Sequence, residues 1–336
     1  MVIVAGDSRW NSYIEKLPRN LQDIYFTSQY HQFVKNEAYM FVYEGADDKI
    51  GIYPFIKRPI YYMGINGTYS DIETVYGYGG PLVNSTDGEF NKEFEAAFLK
   101  YCQDDNIVAE FVRFHPLIKN ETIFTKNIKV LHNRKTVTLD LTAKIDDIWM
   151  NQISTQNRNV IRKCVKNNLK VVQSDNYKEF VDIYLETMEK VGADEFYSFD
   201  ADYFNKMKQD KNCILLAVMQ EGRMIAAAIF MGYGDFFHYH LSGSRRDALK
   251  LSPNNILLWE AIKYAKEQGY KRMHFGGGLT DSMEDNLFKF KSRFSKEYVD
   301  FYIGKRIHNR EIYDKLISFW EKEHNEKAKI LLQYHN

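Results

Sequence analysis

The stretch CILLAVMQEGRMIAAAIFMGYGDFFHYHLSG, Cys213 to Gly243, decides the fold class. It reads as three apolar, aromatic-rich strands, CILLAVMQEG, RMIAAAIFMGYG and FFHYHLSG, joined by turns of hairpin length. Such short connections force antiparallel neighbours, because a parallel pair needs a crossover of a dozen or more residues. A parallel doubly wound sheet is thereby set aside in favour of mixed α/β (α+β) sheets flanked by helices.

The same alternation continues outward. Upstream lie a helix pair in TAKIDDIWMNQISTQNRNVIRKCVKNN, a strand KVVQS and a helix YKEFVDIYLETMEKV. Downstream come the helix NNILLWEAIKYAKEQG, the strand RMHFGGG, the segment LFKFKSRFS, the strand EYVDFYIGK and a final amphipathic helix from about Asn309. Ser252 and Pro253 signal the start of the first of these helices as N-cap and first-turn residue. The first half repeats the style. YMFVYEG and KIGIYPFIKR flank the turn ADD, GEFNKEFEAAFLKYCQDDN carries a helical stripe at Phe90, Phe94, Phe98 and Tyr101, and IVAEFVRFHPL and KTVTLDL are strands. A chain of 336 residues exceeds the usual span of one core. Two domains are expected, residues 1–147 and 148–307, divided after the strand that ends at Leu141.

Composition is that of an ordinary globular chain, with 45 cationic and 45 acidic side chains and no net charge. That balance argues against a general nucleic-acid coat while leaving room for a local basic patch. Three separated cysteines show no metal or disulfide spacing and fit a reducing compartment. No signal peptide or membrane span is legible at the N-terminus or elsewhere, so a cytoplasmic protein without stable membrane insertion is expected.

Candidate chemistry sits in four places. Arg158, Arg162 and Lys166 recur every four residues and form one helical stripe, which is either a solvated face or a clamp for a polyanion. Arg245, Arg246 and Lys250 precede a helix start, where an anion could sit, although incidental surface cations explain them as well. His238 and His240 point to one side of a strand; without a third ligand at metal spacing, no metal site is expected, and His240 is kept as a hydrogen-bonding candidate. Gly276, Gly277 and Gly278 end a strand and permit close backbone approach. Just beyond them, LFKFKSRFS reads in two ways. As a strand it makes Lys289, Lys291 and Arg293 equivalent surface cations. As a helix it places Leu287, Phe290, Lys291 and Phe294 on one stripe, with Lys291 alone among the cations on the apolar side.

Taken in order, NRNVIRKCVKNNLKVV, YLETMEKVGADEFYSFDADYF, HYHLSG with SPNNILLWEAIKYAKEQGYKRMHFGGG, and LFKFKSRFS resemble the FemAB/FemX peptidyltransferases and the wider FemAB-like N-acyltransferases. The resemblance covers most of residues 148–305, and more loosely YPFIKR and YGYGGPL. It implies two tandem Gcn5-related acetyltransferase-like domains without a coiled-coil arm, with a C-terminal helix at 308–336 returning to the first. It implies transfer of an aminoacyl group from aminoacyl-tRNA to an amine of a cell-wall precursor, with no tightly bound cofactor. The alternatives are acyl-CoA-dependent transfer to an amino sugar or small amine, and an inactive binding module. In the family a lysine of the F-K-x-x-F segment lies near the transferred acyl group, which maps onto Lys291, with Phe290 and the glycine run beside it. Basic residues that contact the acceptor's diphosphate map onto Lys190, next to a Y-x-F segment beginning at Tyr197, and onto Lys35. Arg158 and Arg162 would be further anion anchors. The acceptor would be a nucleotide-linked glycan or peptide, and the Q/R-x-x-G-x-G/A pyrophosphate loop of acetyl-coenzyme A enzymes is absent, only Gly243 being present.

Overall fold

In the computed structural model the three segments around Cys213–Gly243 are consecutive antiparallel strands, β9 (Cys213–Gln220), β10 (Arg223–Tyr233) and β11 (Phe236–Ser244), numbered in chain order. The structure describes residues 1–34, 37–191 and 199–335, the side chains of 190 and 191 excepted. The chain divides into two compact units, Met1–Asn133 with Asp300–Asn336, and Arg134–Val299. The expected division near 147 falls later than this one. The strand read from Lys135 actually begins at Lys129 and runs to Asp140 as β7, so the chain changes units inside a strand, where composition shows no break.

In the first unit the strands are β1 (Val2–Val4), β2 (Ala38–Glu44), β3 (Ile50–Pro59), β4 (Ser70–Glu73), β5 (Leu82–Val83) and β6 (Ile107–Arg113). They are ordered β1-β2-β3-β4-β6, with β5 on β3, and residues 303–307 of β13 (Glu297–Ile307) lie antiparallel to β6. β4 and β6 pair in parallel here, and the helix Gly88–Asp104 lies between them in sequence. That helix is capped by the Asp87 carboxylate on the amide of Glu89 at 2.9 Å, and buries Phe90, Phe94 and Phe98 against the strands. Gly51 in β3 has to be glycine: a Cβ there would meet the Phe94 ring at 2.6 Å.

The helix Arg310–His324 belongs to this unit as well, burying Leu316 and Trp320 with Ile60, Val108 and Ala109. A buried ionic cluster holds β13 to the rest of the unit. Arg306 reaches Glu95 at 2.7 Å and Glu110 at 3.5 Å, while Glu110 also receives Tyr53 (2.8 Å) and His308 (3.0 Å). Burial works against the Glu110 charge, but Arg306, His308 and Tyr53 outweigh it and hold the carboxyl below its ordinary range.

In the second unit the order is β7-β12-β11-β10-β9-β8, with β8 at Lys170–Ser174 and β12 at Arg272–Gly276. All its pairs are antiparallel except β11 with β12, which the long helix Pro253–Glu267 connects. That helix and the helix Thr155–Lys166 share one core with Ala226, Ala228 and Phe230 of β10. The helix Tyr177–Val191 also packs on β10 and β11. Two local expectations change. TAKIDDIWMNQ forms only a short turn of α-helix at Ile145–Asp147 followed by a wider π-turn, Ile148–Gln152. Ser252 takes a left-handed conformation (φ 55°) and its hydroxyl caps nothing, although Pro253 does occupy the first turn. Among the described residues no helix is longer than the 17 residues of Gly88–Asp104, and none is long and apolar enough to cross a membrane.

Candidate active site

The segment LFKFKSRFS is helical. Asn286–Lys291 forms a short helix whose N-cap is Asp285, its carboxylate accepting from the Phe288 amide at 2.9 Å. The buried residues are Phe288, Lys291, Phe294 and Ser295, so the apolar stripe is centred on Phe288 rather than on Leu287. Phe290 is half-buried and meets Phe294 edge-on at 5.5 Å. Lys289 faces out and pairs with Glu284. Lys291 alone points inward, with 8% of its surface exposed.

An unpaired ammonium cannot sit there without a partner. The nearest is the carbonyl of Gly277, which accepts from Lys291 Nζ at 2.7 Å, and the Tyr239 ring lies with its centre 5.8 Å from the same nitrogen. Tyr239 in turn donates to the Ser242 hydroxyl at 2.6 Å. Burial pushes the Lys291 amine down from the ordinary 10.5 to about 7, the Asp285 carboxylate working against this and Arg134 adding to it. Near neutrality this amine therefore exists in both protonation states.

The glycine run is expected to let substrate come close, but at two of its three positions the close approach is internal. A Cβ on Gly278 would lie 2.4 Å from Asp285 Oδ1, and one on Gly277 would lie 2.9 Å from Cδ of Arg134. Gly276, at φ +78°, leaves room for the amine, since a Cβ there would sit 3.3 Å from Lys291 Nζ. Asp285 accepts from the amides of Leu279 (3.1 Å) and Thr280 (3.3 Å), and Arg134 donates to the carbonyls of Gly278 (2.7 Å) and Leu279 (3.1 Å). Burial disfavours the Asp285 charge, but these amide donors prevail and keep its carboxyl below the ordinary range. Arg134 and Asp285 thus fix the loop that presents the Gly277 carbonyl to Lys291. Of the two, Asp285 has a signal in sequence, an Asp placed to cap a helix. Arg134 has none.

The remaining candidates separate. Arg158 is used within the fold: it donates to the carbonyls of Trp149 (3.2 Å), Met150 (3.0 Å) and Ile153 (2.7 Å), closing the end of the π-turn. All three bonds come from Arg158 Nη1, and Nη2 donates to the Thr155 hydroxyl at 3.0 Å, so this guanidinium is engaged within its own segment. Arg162 is exposed, bonds to Asn159 at 3.1 Å and lies 5.5 Å from the Trp149 ring centre. His240 shares a 2.8 Å hydrogen bond with the Tyr203 hydroxyl, and Tyr203 stacks on Phe199. Burial, aided by His238, pushes the His240 imidazole down to about 3, so it is neutral at ordinary pH. Arg245 and Arg246 pair with Glu179 and Glu189, which leaves the start of the helix Pro253–Glu267 without free arginines. Lys35 and Tyr197 lie outside the described residues, as does the side chain of Lys190.

Residues 155–291 match the family described as Acetyltransferase (GNAT) domain, a span that opens on the helix bearing Arg162 and closes on Lys291. The chain is 22% identical over 279 residues to the UDP-N-acetylmuramoylpentapeptide-lysine N(6)-alanyltransferase of Weissella viridescens, covering 76% of this chain and 82% of that protein. Its fold superposes on FemX with a TM-score of 0.72 at 15% identity, over 94% of this chain and 99% of FemX. The chain carries an acetyltransferase (GNAT) domain and has a FemX-like fold. The fold is also similar, at a TM-score of 0.54 and 12% identity, to the C-terminal domain of a putative lysylphosphatidylglycerol synthetase from Agrobacterium fabrum. The L-PGS structure from Bacillus licheniformis gives 0.53 at 16% identity. These likenesses bear out the FemX-like, acetyltransferase-type fold inferred from the ordered motifs.

Proposed function

We propose that this FemX-like chain transfers an aminoacyl group from aminoacyl-tRNA to a primary amine of a nucleotide-linked peptidoglycan precursor. The observation that carries the reading is Lys291, a buried amine titrating near neutrality and held on a loop carbonyl inside the acetyltransferase match. The activity for which the Weissella relative is named, alanyl transfer to the lysine of a UDP-linked pentapeptide, supports the choice of donor and acceptor classes.

The reaction needs little covalent assistance. The acceptor's neutral amine attacks the ester carbonyl and a C–N bond forms while charge moves to the carbonyl oxygen. The intermediate then collapses, breaking the C–O bond to the ribose, with the amine proton ending on the released hydroxyl. Placement of the two partners supplies roughly 7–11 kcal/mol of the barrier. Protonated Lys291 would turn from Gly277 to the oxyanion, which is worth roughly 3–4 kcal/mol for one well-aimed donor. Neutral His240, anchored by Tyr203, would orient substrate through hydrogen bonds rather than exchange protons.

The acetyltransferase match favours a second reading, in which the donor is an acyl-coenzyme A. One experiment separates the two. The purified chain is given a UDP-linked muropeptide with either labelled aminoacyl-tRNA or labelled acyl-coenzyme A, and product is followed by mass spectrometry. Aminoacylated product that is lost in Lys291→Met supports the proposal. Product from the thioester alone replaces it with the second reading, and product from neither overturns both in favour of a binding module.

A further inference from the structure

Between Ile148 and Ser174 the chain contains no Asp or Glu, although it carries 45 acidic residues in all. The same segment holds Arg158, Arg162, Lys163, Lys166 and Lys170. Arg158 is spent on backbone carbonyls, and the other four are exposed. Several exposed lysines on other helices lie beside carboxylates, as in Lys92 with Glu89, Lys100 with Asp104 and Lys315 with Glu311. Among the described residues, Arg162, Lys163, Lys166 and Lys170 have no carboxylate within ion-pairing distance.

Their placement follows from the helix. Asn157, Ile161 and Cys164 are its buried residues, at i, i+4 and i+7, which turns Asn159, Arg162, Lys163 and Lys166 outward. Its twelve residues span about 18 Å, and the next element, β8, is an edge strand carrying exposed Lys170. Arg162 is steadied by Asn159 and the Trp149 ring, so its guanidinium is already held at the surface. A row of unneutralised cations of this length suits a ligand whose charges repeat along a line. A compact diphosphate would be gripped by converging groups instead. Lying on an anionic membrane would require an apolar face turned to lipid, whereas Ile161 and Cys164 are in the core.

We infer that the outward face of the helix Thr155–Lys166, continued onto β8, is the docking surface for the phosphodiester backbone of an RNA donor. The inference rests on the aminoacyl-tRNA reading and adds where the body of the nucleic acid lies.

The test measures binding of the full chain to fluorescent tRNA between about 50 and 300 mM salt. Each phosphate contact contributes about 0.7–0.9 to the slope of log affinity against log salt. The triple variant Arg162→Gln, Lys163→Gln, Lys166→Gln should lower that slope by about 2–3 and weaken binding at least about tenfold near 100 mM salt. Its thermal unfolding should match the parent. A control with the same direction of charge change, Lys92→Gln with Lys100→Gln on the helix Gly88–Asp104, should leave the slope unchanged. A triple variant with the parent's slope overturns the docking surface while leaving the aminoacyl-tRNA reading intact. A parent that does not bind tRNA overturns both. Anionic phosphatidylglycerol vesicles form a separate arm, and loss of vesicle binding with tRNA binding retained would assign the surface to a membrane and overturn the inference.

Discussion

Lys291→Met should make the protein more stable near pH 6 and abolish most of its activity. The amine is pushed from 10.5 to about 7 by burial. A tenfold change in proton affinity corresponds to about 1.4 kcal/mol, so carrying this proton in the folded state costs roughly 5 kcal/mol near pH 6. The sign follows from the lowered folded value: the unfolded chain binds more protons between about 7 and 10.5. The cost is therefore complete below the folded value, shrinks as pH rises and disappears above 10.5. Methionine removes this cost but also removes the hydrogen bond to Gly277, leaving a carbonyl whose loss of its partner costs roughly 1–3 kcal/mol. The variant should thus gain roughly 2–4 kcal/mol near pH 6 and be equal to or weaker than the parent near pH 10. Urea unfolding of both proteins at about pH 6, 8 and 10 reads this directly. Transfer should fall at least about a hundredfold if Lys291 supports the oxyanion. A stability difference independent of pH, or a Met variant less stable near pH 6, would refute the buried-amine argument.

Three further outcomes follow from neighbouring contacts. Asp285→Asn keeps an oxygen for the loop amides but removes the charge that supports the ammonium. The protonated fraction of Lys291 should shrink and the alkaline limb of the transfer-rate profile should move to lower pH, as pH-rate measurements would show. Arg158→Met, which releases three carbonyls, should cost about 1–3 kcal/mol in denaturant unfolding without changing the salt dependence of tRNA binding. Glu95→Gln leaves Arg306 and Glu110 in an uneven buried cluster and weakens the acceptor for the amides of Thr125 and Lys126. It should lower stability by about 3–5 kcal/mol by the same measurement.

Much of the fold could be read locally. Hairpin-length turns make β9, β10 and β11 antiparallel, and a period of three to four residues places Phe90, Phe94 and Phe98 on the buried side of their helix. Lys291 was legible for the same reason. The helical reading puts Lys291 on the apolar side with Phe294, three residues on, although it runs the stripe through Leu287 and Phe290 where the structure buries Phe288, three residues before the lysine. The order of the motifs carried the family resemblance, because each motif is contiguous.

Other features depended on the tertiary structure. Whether Arg158 grips an anion or a backbone turn depends on where the carbonyls of Trp149, Met150 and Ile153 end, and a π-turn in place of an ordinary helix turned them toward it. The glycines at 277 and 278 look like room for substrate until Arg134 and Asp285 are seen to occupy that room. Arg306 finds Glu95 across more than two hundred residues of chain, a pairing no pattern within β13 could announce. A side chain's direction is set by the few backbone torsions around it, which nearby residues determine. The partner that satisfies a buried charge or fills the space beside a glycine comes from whatever distant segment the fold brings there.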